Sequence, residues 1–376
     1  MSETKVTVLL VDDCLVAITL LKRALSPATD IEVVGVARNG REALALIPSL
    51  NPSVVCTDLH MPGMNGLELT REIMSHFPRP ILVVSSSVAG DSSQAFNLLE
   101  AGALDVLAKP RILSDAEFST MAADFINKIR ILAGVHVFRR PPASDFGKSH
   151  QSSVPLTEPK PVKIIIIGAS TGGPQVLNLI LQKLPRSLPV PVICMQHISP
   201  GFLRGLVEWL APTCRLPITI AQNGGTPVPG TVYFPEEEMQ LQFDSLGRFD
   251  IGSSVHGCKP VPVGNTAFSG EIRHLPSIDV TMTSAAHRFG ASVLGVLLSG
   301  MGSDGAAGMK AIFDRGGPTI AQDEQSCTVY GMPKQAIKLG AAGKILVPEQ
   351  IAEVLSRVNS EQERGSDLKD QREQRT

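Results

Sequence analysis

Short apolar runs alternate with amphipathic stretches along most of the chain. In the first third the runs are Val6–Val11, Glu32–Ala37, Ser53–Thr57, Ile81–Val84 and Leu104–Ala108. Stretches with helical spacing, such as Leu15–Leu25 and Leu67–Ser75, lie between them. Runs that are apolar at nearly every position predict strands covered on both faces, and the intervening stretches predict the helices that cover them. Five such repeats predict a doubly wound parallel sheet. The pattern then breaks in "RRPPASDFGKSHQSSVPLTEPKPV", which is rich in Pro, Ser and charge and predicts a flexible linker. A second alternating region opens at Lys163, with strands expected at Ile164–Ile167, Val190–Met195, Val293–Leu298, Thr319–Ala321 and Ile345–Val347. A β-rich insertion is expected between Pro217 and Ile251, where "FDSLGRFDI" predicts a hairpin around a glycine turn. The polar end, "SEQERGSDLKDQREQRT", predicts a disordered tail. The expected organisation is a first α/β domain over 1–133, a linker over 134–160, a second α/β domain over 161–358 and a tail over 359–376.

Composition agrees with two domains. The chain has 376 residues, 43% of them apolar but only 4% aromatic, so its cores are mostly aliphatic, as suits parallel sheets. A net charge of −2 with scattered Lys and Arg gives no footprint for nucleic acid or an anionic membrane. No apolar run reaches membrane-spanning length, and no signal peptide precedes the first strand. The six cysteines are widely spaced without a CxxC pair, which points to reduced thiols in a cytoplasmic protein.

In the first half, chemistry collects at strand ends. "LLVDDC" ends the first strand in Asp12 and Asp13, and "VVCTDLHMPGMNG" ends the third in Asp58. Neighbouring strand C-termini of a parallel sheet open into one crevice. Three carboxylates there would repel one another unless a hard cation such as Mg²⁺ joined them. Ser85 and Lys109, at the ends of the fourth and fifth strands, would complete a site for a phosphoryl group on one carboxylate. Any one Asp alone is as readily a helix cap; the set of five is not.

In the second half, "IIIIGASTGG" admits two readings. A nucleotide loop would need GxGxxG or Gly-Lys-Ser/Thr, and an acid ending the next strand. Neither glycine pattern is present, and that strand, "VPVICMQHISP", ends in Gln196 and His197. The nucleophile reading takes Ser170 from G-x-S-x-G, His197 from the adjacent strand, and Asp304 from the glycine-rich loop of "VLGVLLSGMGSDGAAGM". An imidazole would take the serine proton and a carboxylate would hold the imidazole. Helix N-termini after Ser170 and Gly302 would stabilise an oxyanion. The glycines of the loop would make room for the turn and for substrate backbone. The blander alternative is that Ser170 and Asp304 are helix caps and His197 a satisfied histidine at a helix start.

The first half resembles a response-regulator receiver domain, carried by Asp12, Asp13, Asp58, Ser85 and Lys109. From Lys163 to about Val358 the chain resembles the catalytic domain of chemotaxis protein-glutamate methylesterases, through "IGASTGG", "QHISPGF", "HLPSIDV", "LSGMGSDGAAGM", "TIAQDE" and "YGMPKQAI" in that order. What the resemblance implies is a (βα)5, flavodoxin-like receiver and a Rossmann-like catalytic domain with a β-hairpin insertion. It implies that Asp58 is phosphorylated by a histidine kinase. Mg²⁺ would be bound by Asp13, Asp58 and the backbone carbonyl of His60, with Asp12 supporting through water. Ser85 and Lys109 would contact the phosphoryl group. It further implies a Ser170–His197–Asp304 triad, the Met301 amide as oxyanion donor and Thr171 lining the site, with no cofactor for the esterase step. The implied substrates are methylated glutamates, and glutamines, of methyl-accepting chemoreceptors. The receiver would cover the crevice until phosphorylated. The same chemistry serving a non-chemotaxis receptor pathway, or a non-catalytic output module, are the alternatives. Three departures stand out: Val106 replaces the family's frequent switch aromatic, "FPEEEMQ" replaces a Pro-Gly-Asp turn followed by His, and "PVGNTAFSGEIR" precedes "HLPSIDV". The acidic run Glu236–Glu238 reads as a solvated hairpin edge.

Overall fold

A computed structural model describes residues 5–86, 91–109, 114–135, 137, 161–253 and 276–359. The chain divides into two compact units, with Ile198–Trp209 grouped with the N-terminal one. Nearly all of the expected linker and of the expected tail, and "PVGNTAFSGEIR", lie outside the described residues.

The first unit is one parallel sheet. Its strands are β1 (Val6–Val11), β2 (Ile31–Ala37), β3 (Val54–Thr57), β4 (Ile81–Ser85) and β5 (Asp105–Ala108), in the order β2-β1-β3-β4-β5. All four pairings are parallel. The helices are α1 (Leu15–Leu25), α2 (Gly40–Leu50), α3 (Gly66–His76), α4 (Asp91–Glu100) and α5 (Asp115–Ala133). α1 buries Ala17, Ile18, Leu21, Ala24 and Leu25, the helical spacing seen in the sequence. Capping boxes start α3 (Asn65 with Glu68) and α5 (Ser114 with Glu117), which pins where each helix begins. Strand order reverses between β1 and β3, so the crevice of this sheet opens at Asp12, Asp13 and Asp58.

The second unit has a seven-stranded parallel sheet, ordered β14-β13-β12-β6-β7-β9-β8. These strands are β6 (Ile164–Ala169), β7 (Val192–Gln196), β8 (Ile218–Ile220), β9 (Val232–Phe234), β12 (Val293–Leu297), β13 (Thr319–Gln322) and β14 (Lys344–Leu346). The helices that follow β6 in the chain are α6 (Gly173–Leu181), α7 (Leu203–Leu210, all but its last residue grouped with the first unit), α8 (Ile278–Phe289), α9 (Ala306–Phe313), α10 (Met332–Lys338) and α11 (Pro348–Ser356). Strand β6 runs two residues beyond the expected Ile167. Gly168 pairs with Leu297 and Met195, and a Cβ there would lie 2.6 Å from Ile278 Cγ2, so the glycine admits α8 against the strand. The loop therefore starts at Ser170.

The expected β-rich insertion is divided. β8 and β9 extend the main sheet in parallel; only β10 (Met239–Phe243) and β11 (Phe249–Ser253) form a separate antiparallel hairpin. Val232–Phe234 is buried at every position, as an interior strand requires. The hairpin turns at Gly247 (φ +84°), with Asp244 Oδ1 accepting the Leu246 and Arg248 amides. Glu236–Glu238 is the link from β9 into β10 and not a hairpin edge, with Glu238 at φ +58°. Asn359, expected in the tail, pairs its carboxamide with both peptide groups of Val162 and so closes the second unit.

Candidate functional site

In the first unit Lys109 bridges two acids. Its Nζ lies 2.7 Å from Asp12 Oδ2 and 2.7 Å from Asp58 Oδ2. Carboxylate oxygens of Asp12, Asp13 and Asp58 all lie within 4.8 Å of one another. Asp12 and Asp58 are buried and Asp13 is exposed, so the cluster meets solvent on one side. Burial raises the Asp58 carboxyl above its ordinary range, and Asp12 adds to this against the pull of Lys109. Burial alone would lower the Lys109 ammonium, but hydrogen bonds and charge from Asp12 and Asp58 outweigh it and hold the group above its ordinary range. Backbone donors fix the acids: the Cys14 amide to Asp12 Oδ1 at 2.9 Å and the Leu59 amide to Asp58 Oδ1 at 2.7 Å. Ser85, fully buried at the end of β4, has no hydrogen-bond partner for its hydroxyl among the described residues. Three clustered carboxylates against one ammonium suit a hard divalent cation, and an unsatisfied hydroxyl beside them suits an incoming oxyanion. His60 is exposed in the loop two residues past Asp58. Val106, in the switch-aromatic position, is buried in β5.

In the second unit β6 lies between β7 and β12, the point where strand order reverses. Ser170 follows β6, His197 follows β7, and the loop carrying Asp304 follows β12. Ala169 pairs with Gln196, so the next step of the register sets Ser170 beside His197, and the His197 amide donates to Ala169 O at 2.9 Å. On the other side the Ser170 amide donates to Ser299 O at 3.0 Å. His197 Nε2 lies 2.9 Å from Asp304 Oδ2. The two residues are 107 apart in sequence, so only the fold brings them together.

Asp304 is saturated by further donors. Its Oδ1 accepts from Ser277 Oγ (3.0 Å), the Asp279 amide (2.9 Å) and the Gly305 amide (3.1 Å), and its Oδ2 accepts from the Ile278 amide (2.8 Å). Burial would push this carboxyl up, but His197 and the α8 amides outweigh it and hold Asp304 below the ordinary range. Asp279, in the first turn of α8, accepts the Gly308 amide at 2.6 Å. Burial first, and the Asp304 charge second, push Asp279 up to about 7. Each acid thus caps the other's helix: Asp304 caps α8 and Asp279 caps α9.

The glycines of "GASTGG" serve the protein's own packing more than any ligand. A Cβ on Gly173 would lie 2.3 Å from Gln196 Oε1, and one on Gly172 (φ +78°) 2.4 Å from Thr328 Oγ1. The Gln196 carboxamide donates to Ser170 O (2.9 Å) and His197 O (2.8 Å), bridging the two loops. Ser299 Oγ donates to the carbonyl of the buried Thr171 at 2.8 Å. Gly300 O accepts the Gly331 and Met332 amides, which fixes the loop that continues through Met301. Sequence reasoning missed Ser277, Asp279 and Gln196. The first two stand in "HLPSIDV", a motif noted without a chemical role; the third was noted only as a missing acid.

The match to known families covers both units. A family model described as CheB methylesterase matches residues 165–355, and a response regulator receiver domain model matches 8–117. Over 354 residues the chain is 38% identical to a protein-glutamate methylesterase/protein-glutamine glutaminase of Geobacter metallireducens, covering 93% of this chain and 98% of the relative. A protein of the same description from Methanospirillum hungatei is 38% identical over 361 residues, covering 93% and 97%. The crystal structure of the Thermotoga maritima CheB methylesterase catalytic domain, 32% identical, covers 52% of this chain and 98% of that one with a TM-score of 0.47. With 38% identity over nearly the whole of both chains, and a receiver joined to a methylesterase domain, this chain belongs to the protein-glutamate methylesterase/protein-glutamine glutaminase family.

Proposed function

We propose that the chain is a phosphorylation-controlled serine hydrolase that removes methyl groups from glutamyl side chains of methyl-accepting chemoreceptors and deamidates their glutamines. The observation that carries this is the 2.9 Å His197–Asp304 contact at the strand ends flanking Ser170. Ser170 Oγ attacks the ester carbonyl carbon while His197 takes its proton. With Nε2 on Asp304, this transfer falls to Nδ1. The tetrahedral intermediate collapses when the same nitrogen protonates the methoxy oxygen, and methanol leaves an acyl-serine. Water, deprotonated by His197, then releases the glutamate and restores the serine. With glutamine the first leaving group is ammonia. The Met301 amide and the start of α6 would face the oxyanion, with Thr171 lining the site.

Control would lie in the first unit. A histidine kinase would donate its phosphoryl group to Asp58, with Ser85 and Lys109 contacting the phosphoryl oxygens. Asp13, Asp58 and the His60 carbonyl would hold Mg²⁺, with Asp12 behind them; when bound, the ion would supply charge neutralisation for the acids and the incoming phosphoryl group. The crowded acids, the bridging Lys109 and the unsatisfied Ser85 hydroxyl support this reading. Among the described residues no helix is long and apolar enough to cross a membrane. The proposed meeting place is the receptor's water-exposed, cytoplasmic part.

The test is methanol release from methylated receptor membranes. Ser170→Ala is expected to lower it by roughly a thousand-fold or more; normal release would sink the triad. A phosphoryl donor is expected to stimulate wild type and leave Asp58→Ala unchanged, and equal responses would reject Asp58 as the trigger. Stoichiometric, His197-dependent labelling by a serine-directed phosphonate separates the enzyme from a non-catalytic output module.

A further inference from the structure

The hairpin residue Gln240 is fully buried on β10, yet no step above uses it. Its carboxamide clamps both backbone groups of one residue, Ser277. Oε1 accepts the Ser277 amide at 2.8 Å, and Nε2 donates to Ser277 O at 3.1 Å. Nε2 also reaches Leu241 O and Thr281 Oγ1, each at 3.1 Å. Ser277 is the residue preceding α8, and its hydroxyl lies 3.0 Å from Asp304 Oδ1. An unbroken hydrogen-bonded chain therefore runs from the hairpin through Gln240 and Ser277 to Asp304 and His197. Both clamped groups of Ser277 belong to its backbone, so Gln240 sets where the hydroxyl points without touching the acid.

We propose that Gln240 and Ser277 are positioning residues of the esterase, forming a strut by which the β10–β11 hairpin fixes the orientation and charge of Asp304. The proposal rests on the triad reading above. A buried carboxamide is fit for this role because one planar group both donates and accepts, and neither function is lost to titration. Leaving Ser277 unclamped would strip its amide of the Gln240 acceptor, while its carbonyl would keep only the longer Thr281 contacts, and would let the hydroxyl swing away. The titratable groups facing one another here are His197 from the end of β7, Asp304 from the loop after β12 and Asp279 from α8. Strand β10 contributes only neutral side chains. Removing the Ser277 hydroxyl withdraws one donor from Asp304 Oδ1, so more of the carboxylate charge is left to act on the imidazolium.

The experiment is the pH dependence of kcat/KM for methanol release by the full chain, for wild type, Ser277→Ala, Ser277→Thr, Ser277→Gly, Gln240→Met and the Gln240→Met/Ser277→Ala double variant. Ser277→Ala and Gln240→Met are each expected to lower kcat by about ten-fold, as loss of one hydrogen bond to a charged group implies, with KM little changed and the acid limb moved to higher pH. Ser277→Thr, which keeps the hydroxyl, should restore both the rate and the limb. Ser277→Gly, which preserves most of the helix-cap stability, should behave like Ser277→Ala. The double variant should be no slower than Ser277→Ala alone, since both act through one contact. An unmoved acid limb in Ser277→Gly, or multiplied losses in the double variant, overturns the strut. If Gln240→Met does not fold, the Ser277→Gly and Ser277→Thr pair decides. Ser170→Ala runs alongside: if it matches wild type the triad reading itself fails, whereas normal behaviour of that control with unshifted Ser277 variants rejects the strut alone.

Discussion

Both units place acids at the switch point of a parallel sheet, and they treat them in opposite ways. Asp58 and two further carboxylates, Asp12 and Asp13, lie within 4.8 Å of one another, with one bridging lysine and a single backbone amide on Asp58. Around Asp304 there are four neutral donors as well as His197. The first cluster is left with negative charge and lone pairs to offer a cation or a phosphoryl group. The second has spent its lone pairs on the start of α8, the Gly305 amide and its histidine, so its carboxylate can orient and stabilise but has little left to coordinate. Sheet topology says where ligands bind; the donors around each acid decide what the acid can do.

The sharpest way to break this comparison is Asp304→Asn. A carboxamide cannot accept from His197 and the α8 amides together, and its own N–H₂ would face those donors. Basal methanol release is expected to fall about 10³- to 10⁴-fold, as when a triad acid is amidated, with the chain still folded by circular dichroism. A loss under ten-fold would mean that the saturated carboxylate is a helix cap alone. The next effect is on cation binding. Asp13→Asn should weaken Mg²⁺ binding by roughly ten-fold or more, each ten-fold being 1.4 kcal/mol, measured by titration calorimetry. Excess chelator should abolish phosphoryl-donor stimulation and leave basal methanol release intact; loss of basal release on chelation would erase the distinction between the clusters. The smallest effect concerns Asp279. Its folded-state pKa is raised to about 7, so the folded protein holds a proton that the unfolded chain gives up. The stability this confers is full below the ordinary carboxylate range and is lost as pH rises from about 4 to about 7. Asp304 is shifted the other way, so its contribution is lost only below that window. Thermal unfolding followed by calorimetry should therefore show a midpoint falling across that interval, by roughly 2–4 °C per kcal/mol lost in a domain of this size. Asp279→Asn, which can still accept the Gly308 amide, should flatten the decline.

Much of this was legible in the chain. Leu15–Leu25 and Val6–Val11 stand in the structure with the expected ends, because a buried apolar run and an amphipathic stretch are local signals. The five residues of the first cluster were legible because each ends a strand, and parallel strand ends converge. Less visible was the fate of the insertion. Nothing local distinguishes Val232–Phe234, which joins the main sheet, from Met239–Phe243, which leaves it; the choice depends on which neighbour has an open edge. The loop at Ser170 also read as longer than it is, since Gly168 and Ala169 look like turn residues until Ile278 is packed against the strand.

By itself the sequence determined the two α/β units, and it singled out Asp58, Ser170, His197 and Asp304 as candidates at strand ends. These follow from periodicity and residue type, which act over a few positions. Only the tertiary structure decided that Gln240 reaches Ser277, that Ser277 and α8 saturate Asp304, and that Asp279 sits beside it in a buried pair. Those outcomes depend on contacts between segments 25 to 41 residues apart, whose hydrogen bonds exist only once the chain has excluded water from between them.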